Sequence, residues 1–223
     1  MPLLSVLPGN DTFVPYVLVA DDAFPLTSYL IKPYAGEVPK GSPKRVFNYR
    51  LSRARRTVEN AFGLLASVFR IFRKPLIVKP STAEDITLAC VYLHNFLRRN
   101  SAPKQLHTPP GTLDFENTDN GTVIEGQWRR EIQNDSGMVN LAKTLRNHGN
   151  GAKKIRDAFL DYFTSNEGRV SWQDNICSTS YVTKKNPNTY AYQTFLMCCY
   201  CVFSFPFIII LQDKKHMFVR KPA

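Results

Sequence analysis

Acidic side chains are nearly absent between Glu37 and Glu84, where Glu59 is the only one. The segment from residue 38 to residue 83 holds eleven Lys or Arg, and the 223-residue chain has a formal net charge of +11. A basic segment of this kind favours a polyanionic partner such as nucleic acid. A basic protein that has no such partner is the alternative.

Several familiar site patterns are also absent. The sequence has no glycine-rich phosphate loop, no Gly-x-Ser-x-Gly turn and no convincing Ser/His/Asp set, so it gives no support to P-loop or serine-hydrolase chemistry. Of the five cysteines only Cys198, Cys199 and Cys201 cluster, and no histidine lies near them at zinc-ligand spacing. A disulfide framework is therefore not expected. Residues 1–10 do not have the pattern of a secretory signal.

Two carboxylates stand where metal-binding acids are often found. Asp21 follows the continuously apolar residues 16–20, which predict a buried strand of an α/β sheet, and such sheets gather their sites at strand carboxyl ends. Glu59 lies at the flank of the apolar stripe of a helix predicted over residues 52–72. Carboxylates are suitable ligands for Mg²⁺ or Mn²⁺. We therefore predict that Asp21 and Glu59 converge at a divalent-metal site.

Each of these residues also has a simpler interpretation. Asp21 is well placed to cap the turn after its strand. Glu59 has Arg55 and Arg56 at the spacing of intrahelical ion pairs. We predict that Arg53, Arg55 and Arg56 together contact DNA phosphates, with one of the three supporting Glu59 instead.

Five segments, in this order and spacing, resemble the second half of the PIF/Harbinger transposase nuclease domain. They are Val19–Leu26, Phe47–Arg55, Val58–Gly63, Leu93–Leu97 and, more loosely, Arg156–Gln173. The resemblance covers roughly residues 10–175. It includes domesticated, transposase-derived nucleases, which these residues do not separate from active transposases.

The resemblance implies an RNase H-like fold with an Asp-Asp-Glu triad that binds two divalent cations and cuts DNA. It makes Asp21 the second aspartate and Glu59 the glutamate. The first aspartate would lie on a strand upstream of this sequence, and Asp11, in a turn-like context, does not replace it. The resemblance therefore implies a DNA endonuclease that depends on divalent metal ions and acts as a hydrolase in the nucleus. It also implies that this chain is a fragment of such an enzyme and is inactive alone. The partners implied are DNA and, optionally, a separate DNA-binding protein. The alternative is a non-catalytic DNA- or protein-binding module.

We predict a truncated α/β domain over residues 1–175, with a sheet, flanking helices and a helix-rich C-terminal half. Further helices are predicted at 27–31, 81–99, 127–146 and 153–163, with a mobile loop at about 100–125. Residues 176–223 are predicted to be an apolar tail outside the domain. Within the tail, residues 192–211 carry no charge, a length that suits a membrane anchor or a buried core segment. We favour an extension that is foreign to the domain.

Overall fold

The computed structural model describes residues 4–9, 11–99, 105–132 and 149–179, and the backbone of two short strands at 209–210 and 218–219. The described part is an α/β structure with small sheets. Strands β1 (Leu4–Val6) and β2 (Phe13–Pro15) pair antiparallel, and β3 (Leu18–Val19) and β4 (Leu30–Ile31) pair parallel.

Helix α1 (Pro43–Val68) is the longest described element, and both apolar clusters of the domain form along it. It begins where Ser42 accepts a hydrogen bond from the Arg45 amide at 3.3 Å and Pro43 occupies the first turn, a favourable start for a helix. A short 3-10 helix (Arg70–Arg73) follows and leads to α2 (Pro80–Arg99).

The remaining elements pack along α1. An antiparallel hairpin joins β5 (Phe115–Glu116) to β6 (Val123–Ile124), and α3 (Gln127–Glu131) follows at once. Helices α4 (Asn150–Thr164) and α5 (Gln173–Ser178) complete the domain. Strands β7 (Ile209–Ile210) and β8 (Phe218–Val219) pair antiparallel, and β7 lies beside β3.

The two apolar clusters divide α1 between them. The first joins the N-terminal half of α1 to β2, α4 and α5, with Phe47 and Phe163 in ring contact at 5.8 Å. The second joins the C-terminal half of α1 to α2 and α3 through Phe62, Cys90 and Trp128. Because α1 contributes to both clusters, it fixes the hairpin and α3 relative to the strand that precedes Asp21.

Three sequence predictions about the elements need correction. The strand predicted over residues 16–20 is only the two-residue β3, and the predicted helix 27–31 is absent, with Leu30–Ile31 forming β4 instead. The amides of Leu18 and Ala20 donate to the carbonyls of Tyr29 and Ile31 at 2.8 and 2.9 Å, so this backbone is used for strand pairing. The predicted helix 52–72 begins earlier, at Pro43, and ends at Val68.

The C-terminal half also differs in part from the prediction. The loop predicted at 100–125 contains the β5–β6 hairpin, and residues 100–104 lie outside the described ranges. Of the helix predicted at 127–146 the structure shows α3, while 133–146 are outside the described residues. Helix α5 continues past residue 175, the end predicted for the domain, to Ser178. Within it Cys177 is 2% exposed, and its carbonyl accepts a hydrogen bond from the Gly41 amide at 3.0 Å.

The interpretation of residues 192–211 as a membrane anchor or a foreign extension stays a prediction, since 192–208 and 211 lie outside the described residues. No helix within the described ranges is both long and apolar enough to cross a membrane.

Candidate functional site

Asp21 lies just beyond the end of β3 and is 6% exposed. Its carboxylate accepts a hydrogen bond from the Ala23 amide at 3.0 Å, which is the turn-capping contact that the sequence allowed. Burial raises the pKa of Asp21 above its usual value, and the nearby positive charge of Arg55 opposes part of that rise. The adjacent Asp22 instead pairs with Lys32 at 3.6 Å.

Glu59 lies on α1 with each of its two carboxylate oxygens held by an arginine. Arg55 approaches Oε1 at 3.3 Å from one turn earlier on the same helix. Arg129 approaches Oε2 at 3.3 Å from α3. The predicted support of Glu59 by one of the three arginines is therefore present, and Arg55 supplies it.

Arg55 is the link between the two predicted site residues. Its charge acts on the Asp21 carboxyl, and its guanidinium is in ion-pair contact with Glu59. The same guanidinium group therefore pairs with Glu59 and favours the charged form of Asp21. Opposite charges then alternate from Asp21 through Arg55, Glu59 and Arg129 to a further acid, Asp114.

Asp114 was not predicted as a site residue from the sequence. In the structure its side chain is 0% exposed. Arg129 donates two hydrogen bonds to the Asp114 carboxylate, one from Nε to Oδ1 at 2.9 Å and one from Nη2 to Oδ2 at 2.5 Å. The Gly126 amide also donates to Oδ1 at 2.8 Å. Asn60, the residue after Glu59, accepts from the Asp114 amide at 2.8 Å and donates to its carbonyl at 3.1 Å. Arg55, Glu59, Arg129 and Asp114 thus form a partly buried ion-pair network, with the Asp114 carboxylate fully buried.

The residues in this network do not fit a two-metal centre as they are arranged. Within the described ranges, no group of three or more His, Cys, Asp or Glu side chains is close enough to hold one ion. A hard cation needs carboxylate oxygens that are open to it, and both oxygens of Glu59 already face guanidinium groups. In the structure Asp21 instead accepts from the Ala23 amide and Glu59 pairs with Arg55 and Arg129, and the role of Asp21 and Glu59 as metal ligands stays a prediction.

Comparison with known families relates the N-terminal part of the chain to a nuclease superfamily. Residues 4–95 match the family model of the DDE superfamily endonucleases. That segment contains both Asp21 and Glu59, and it supports descent from a transposase-type DDE nuclease. No match was found among curated proteins or among solved structures.

The arginines predicted to bind DNA lie inside this DDE-like segment but face acids of the same chain. Arg53 Nε lies 2.5 Å from Glu116 and Arg56 Nη1 lies 3.4 Å from the same oxygen. Tyr49 donates its hydroxyl to the other Glu116 oxygen at 2.9 Å. Glu116 belongs to β5, so Arg53 and Arg56 anchor the hairpin onto α1. The sequence offered only one indication of this contact, the acidic character of the stretch that begins at Asp114.

His94, near the end of the DDE-like segment, lies on the inner face of α2. Its Nδ1 is 3.1 Å from Nε2 of His107, and both rings are buried. Burial, with the neighbouring His107 and Arg98, lowers the pKa of His94 from 6.5 to about 4. The burial of Cys90 one turn earlier adds to the apolar surroundings. The histidine therefore packs as a neutral hydrogen-bonding group.

The burial of His94 is expected to make the stability of the domain sensitive to acid. Because the pKa of His94 is about 4 when folded and near 6.5 when unfolded, the unfolded chain binds the proton more tightly. The stability that this group contributes is complete above pH 6.5 and is lost as the pH falls toward 4. We expect the melting temperature to fall across that window, and to fall less in His94→Gln. Equal losses in both proteins would contradict the assignment.

Proposed function

We propose that the chain derives from a PIF/Harbinger-type DDE transposase, carries part of an RNase H-like nuclease domain, and does not cut DNA by itself. The observation that supports the proposal best is the state of Glu59, whose two oxygens are both paired with arginine. The match of residues 4–95 to DDE superfamily endonucleases supports the ancestry.

The ion pairs around Glu59 and Asp114 support the proposal that this chain does not cleave DNA. Cleavage of a phosphodiester by this class of enzyme needs divalent ions held by a complete set of carboxylates. Here Asp21 is buried, with its charged form disfavoured, and Asp114 is fully enclosed by Arg129 and backbone. Losing one unit of a coupled catalytic set removes most of the rate. We therefore ascribe the divalent-metal chemistry to the DDE endonuclease family and not to this arrangement of side chains.

A plasmid-nicking assay with Mn²⁺ tests this directly. We expect the full chain and its Glu59→Gln variant to nick supercoiled DNA no faster than buffer does, because neither has an open carboxylate set. Circular dichroism shows whether the variant keeps the fold. Cleavage by the unmodified chain that Glu59→Gln abolishes would overturn the proposal and would mean that the ion pairs of Glu59 open in solution.

We propose further that the chain binds DNA in the nucleus through exposed basic residues on the end of the domain where α1 meets α2. Arg70, Lys74 and Lys79 are exposed there, in contrast to the paired Arg53 and Arg56. Contacts of this type are made to phosphates and carry little sequence information. This footprint favours a non-catalytic DNA-binding module as the retained activity, alone or beside a separate DNA-binding protein.

Titration of a labelled duplex at rising salt tests the footprint. We expect affinity to fall with salt. The double substitution Lys74→Ala with Lys79→Ala should lower the slope of log affinity against log salt by about 0.9 for each phosphate that the protein no longer neutralises. The matched control removes two exposed lysines from α4, Lys153→Ala with Lys154→Ala. If both double variants behave alike, or if salt has no effect, the footprint is wrong.

A further inference from the structure

Helix α2 presents a regular seam on the side opposite its buried face. Thr87, Cys90 and His94 are buried and define the inner face. The opposite side carries five exposed residues at alternating steps of four and three: Asp85, Ala89, Tyr92, Phe96 and Arg99. At about 3.6 residues per turn these positions fall on one line along the helix. Such a spacing is that of a helix–helix packing seam.

The middle of this seam is apolar, and its side chains are largely exposed. Tyr92 is 67% exposed, Phe96 is 62% exposed, and Leu93 beside them is 52% exposed. The spacing of Ile86, Cys90, Leu93 and Leu97 would by itself place Leu93 on a buried stripe, so the helix is rotated relative to that pattern. Two aromatic rings and a leucine at the surface of one helix form an apolar patch of the kind that marks an interaction site.

The charges at the two ends of the seam specify the partner. Asp85 and Arg99 lie at equal distances along the helix on either side of Tyr92. If a second α2 packs antiparallel about a two-fold axis at Tyr92, Asp85 of each copy meets Arg99 of the other. A parallel arrangement would instead place like charges together. Neither Asp85 nor Arg99 forms an ion pair within the described part of the chain.

We propose that α2 is a self-association surface on which two copies of this chain pack antiparallel around Tyr92. The contact is isologous, so it closes as a dimer and does not propagate. One helix of 20 residues spans about 30 Å. An interface one helix wide lies at the small end of specific interfaces, below about 1,200 Å², so we expect micromolar dissociation.

Sedimentation equilibrium of the full chain over a concentration series is the first test. We expect a monomer–dimer equilibrium, and we expect Tyr92→Glu to weaken it at least tenfold because a carboxylate would be buried against its own copy. Tyr92 is exposed, so circular dichroism should show an intact fold. A chain that stays monomeric at high concentration, as it would if another segment of the same chain covered the seam, overturns the proposal.

Charge reversal tests the antiparallel register. Asp85→Arg places two arginines together at each end and should weaken the dimer, whereas Asp85→Arg combined with Arg99→Asp restores both pairs and should recover it. Glu84→Arg makes the same change of charge one residue away, off the seam, and should have little effect. A dimer that Asp85→Arg does not weaken, or that the combined reversal does not restore, contradicts the two-fold axis at Tyr92.

Discussion

Replacing Arg129 with alanine should lower the free energy of unfolding by about 3–5 kcal/mol, the cost typical of breaking a buried ion pair from one side. The Asp114 carboxylate is 0% exposed and would keep only its hydrogen bond from the Gly126 amide. Glu59 would lose one of its two partners at the same time. The guanidinium also lies over the Trp128 ring, 4.4 Å from its centre, so the variant would lose this packing as well. Urea denaturation followed by circular dichroism measures the change.

The neighbouring residue provides the matched control. Arg130 is on the same short helix but exposed, so Arg130→Ala should change stability by no more than about 0.5 kcal/mol. Combining Arg129→Ala with Asp114→Asn should recover part of the loss, because the uncompensated buried charge is then gone while an amide oxygen still faces Gly126. If Arg129→Ala costs no more than Arg130→Ala, the network does not stabilise the fold.

The sequence predicted best those features that local patterns determine. The apolar period along residues 58–72 predicted the C-terminal part of α1, and the placement of Glu59 at its flank agrees with its half-buried position. Trp128 and Trp172 have large apolar side chains of the kind that anchor packing, and both are buried. Each of these predictions needed only the period of one helix or the size of one side chain.

Long-range partners could not be predicted in this way. The second partner of Glu59 comes from Arg129, 70 residues further along the chain. Glu116, which pairs with both Arg53 and Arg56, lies on the β5–β6 hairpin. The sequence predicted a loop there, because the segment is rich in turn-forming residues. No local pattern reports which carboxylate will meet a given arginine. The DNA-binding role predicted for Arg53, Arg55 and Arg56 consequently rested on charge alone.

The predictions for short segments, and for helices of mixed polarity, were wrong for a related reason. Residues 27–31 have too few positions to separate a helix from a strand by period, and pairing with β3 decides the outcome. On α2 the apolar stripe would have buried Leu93. The structure instead buries His94, which is satisfied by His107 13 residues away. A polar residue becomes acceptable in the core when a partner arrives from elsewhere.

Gly63→Ala should lower the free energy of unfolding by about 3 kcal/mol, near the upper end for overpacking a core. A Cβ at this position would lie 2.2 Å from two carbon atoms of the Trp128 ring. The indole cannot easily move away, because its Nε1–H donates to Asn60 at 2.9 Å and the ring is buried. The better helix propensity of alanine, about 1 kcal/mol, offsets only part of this strain.

Gly151 offers the same substitution without the clash. It lies near the start of α4, and a Cβ added there meets nothing within 4 Å. Gly151→Ala should therefore stabilise the domain by about 0.4–1 kcal/mol through the lower entropy of the unfolded chain. Denaturant unfolding of both variants gives the comparison, and opposite signs are expected. If Gly63→Ala also stabilises, α3 does not sit against α1 as described, and the contact between Arg129 and Glu59, which depends on that packing, does not form.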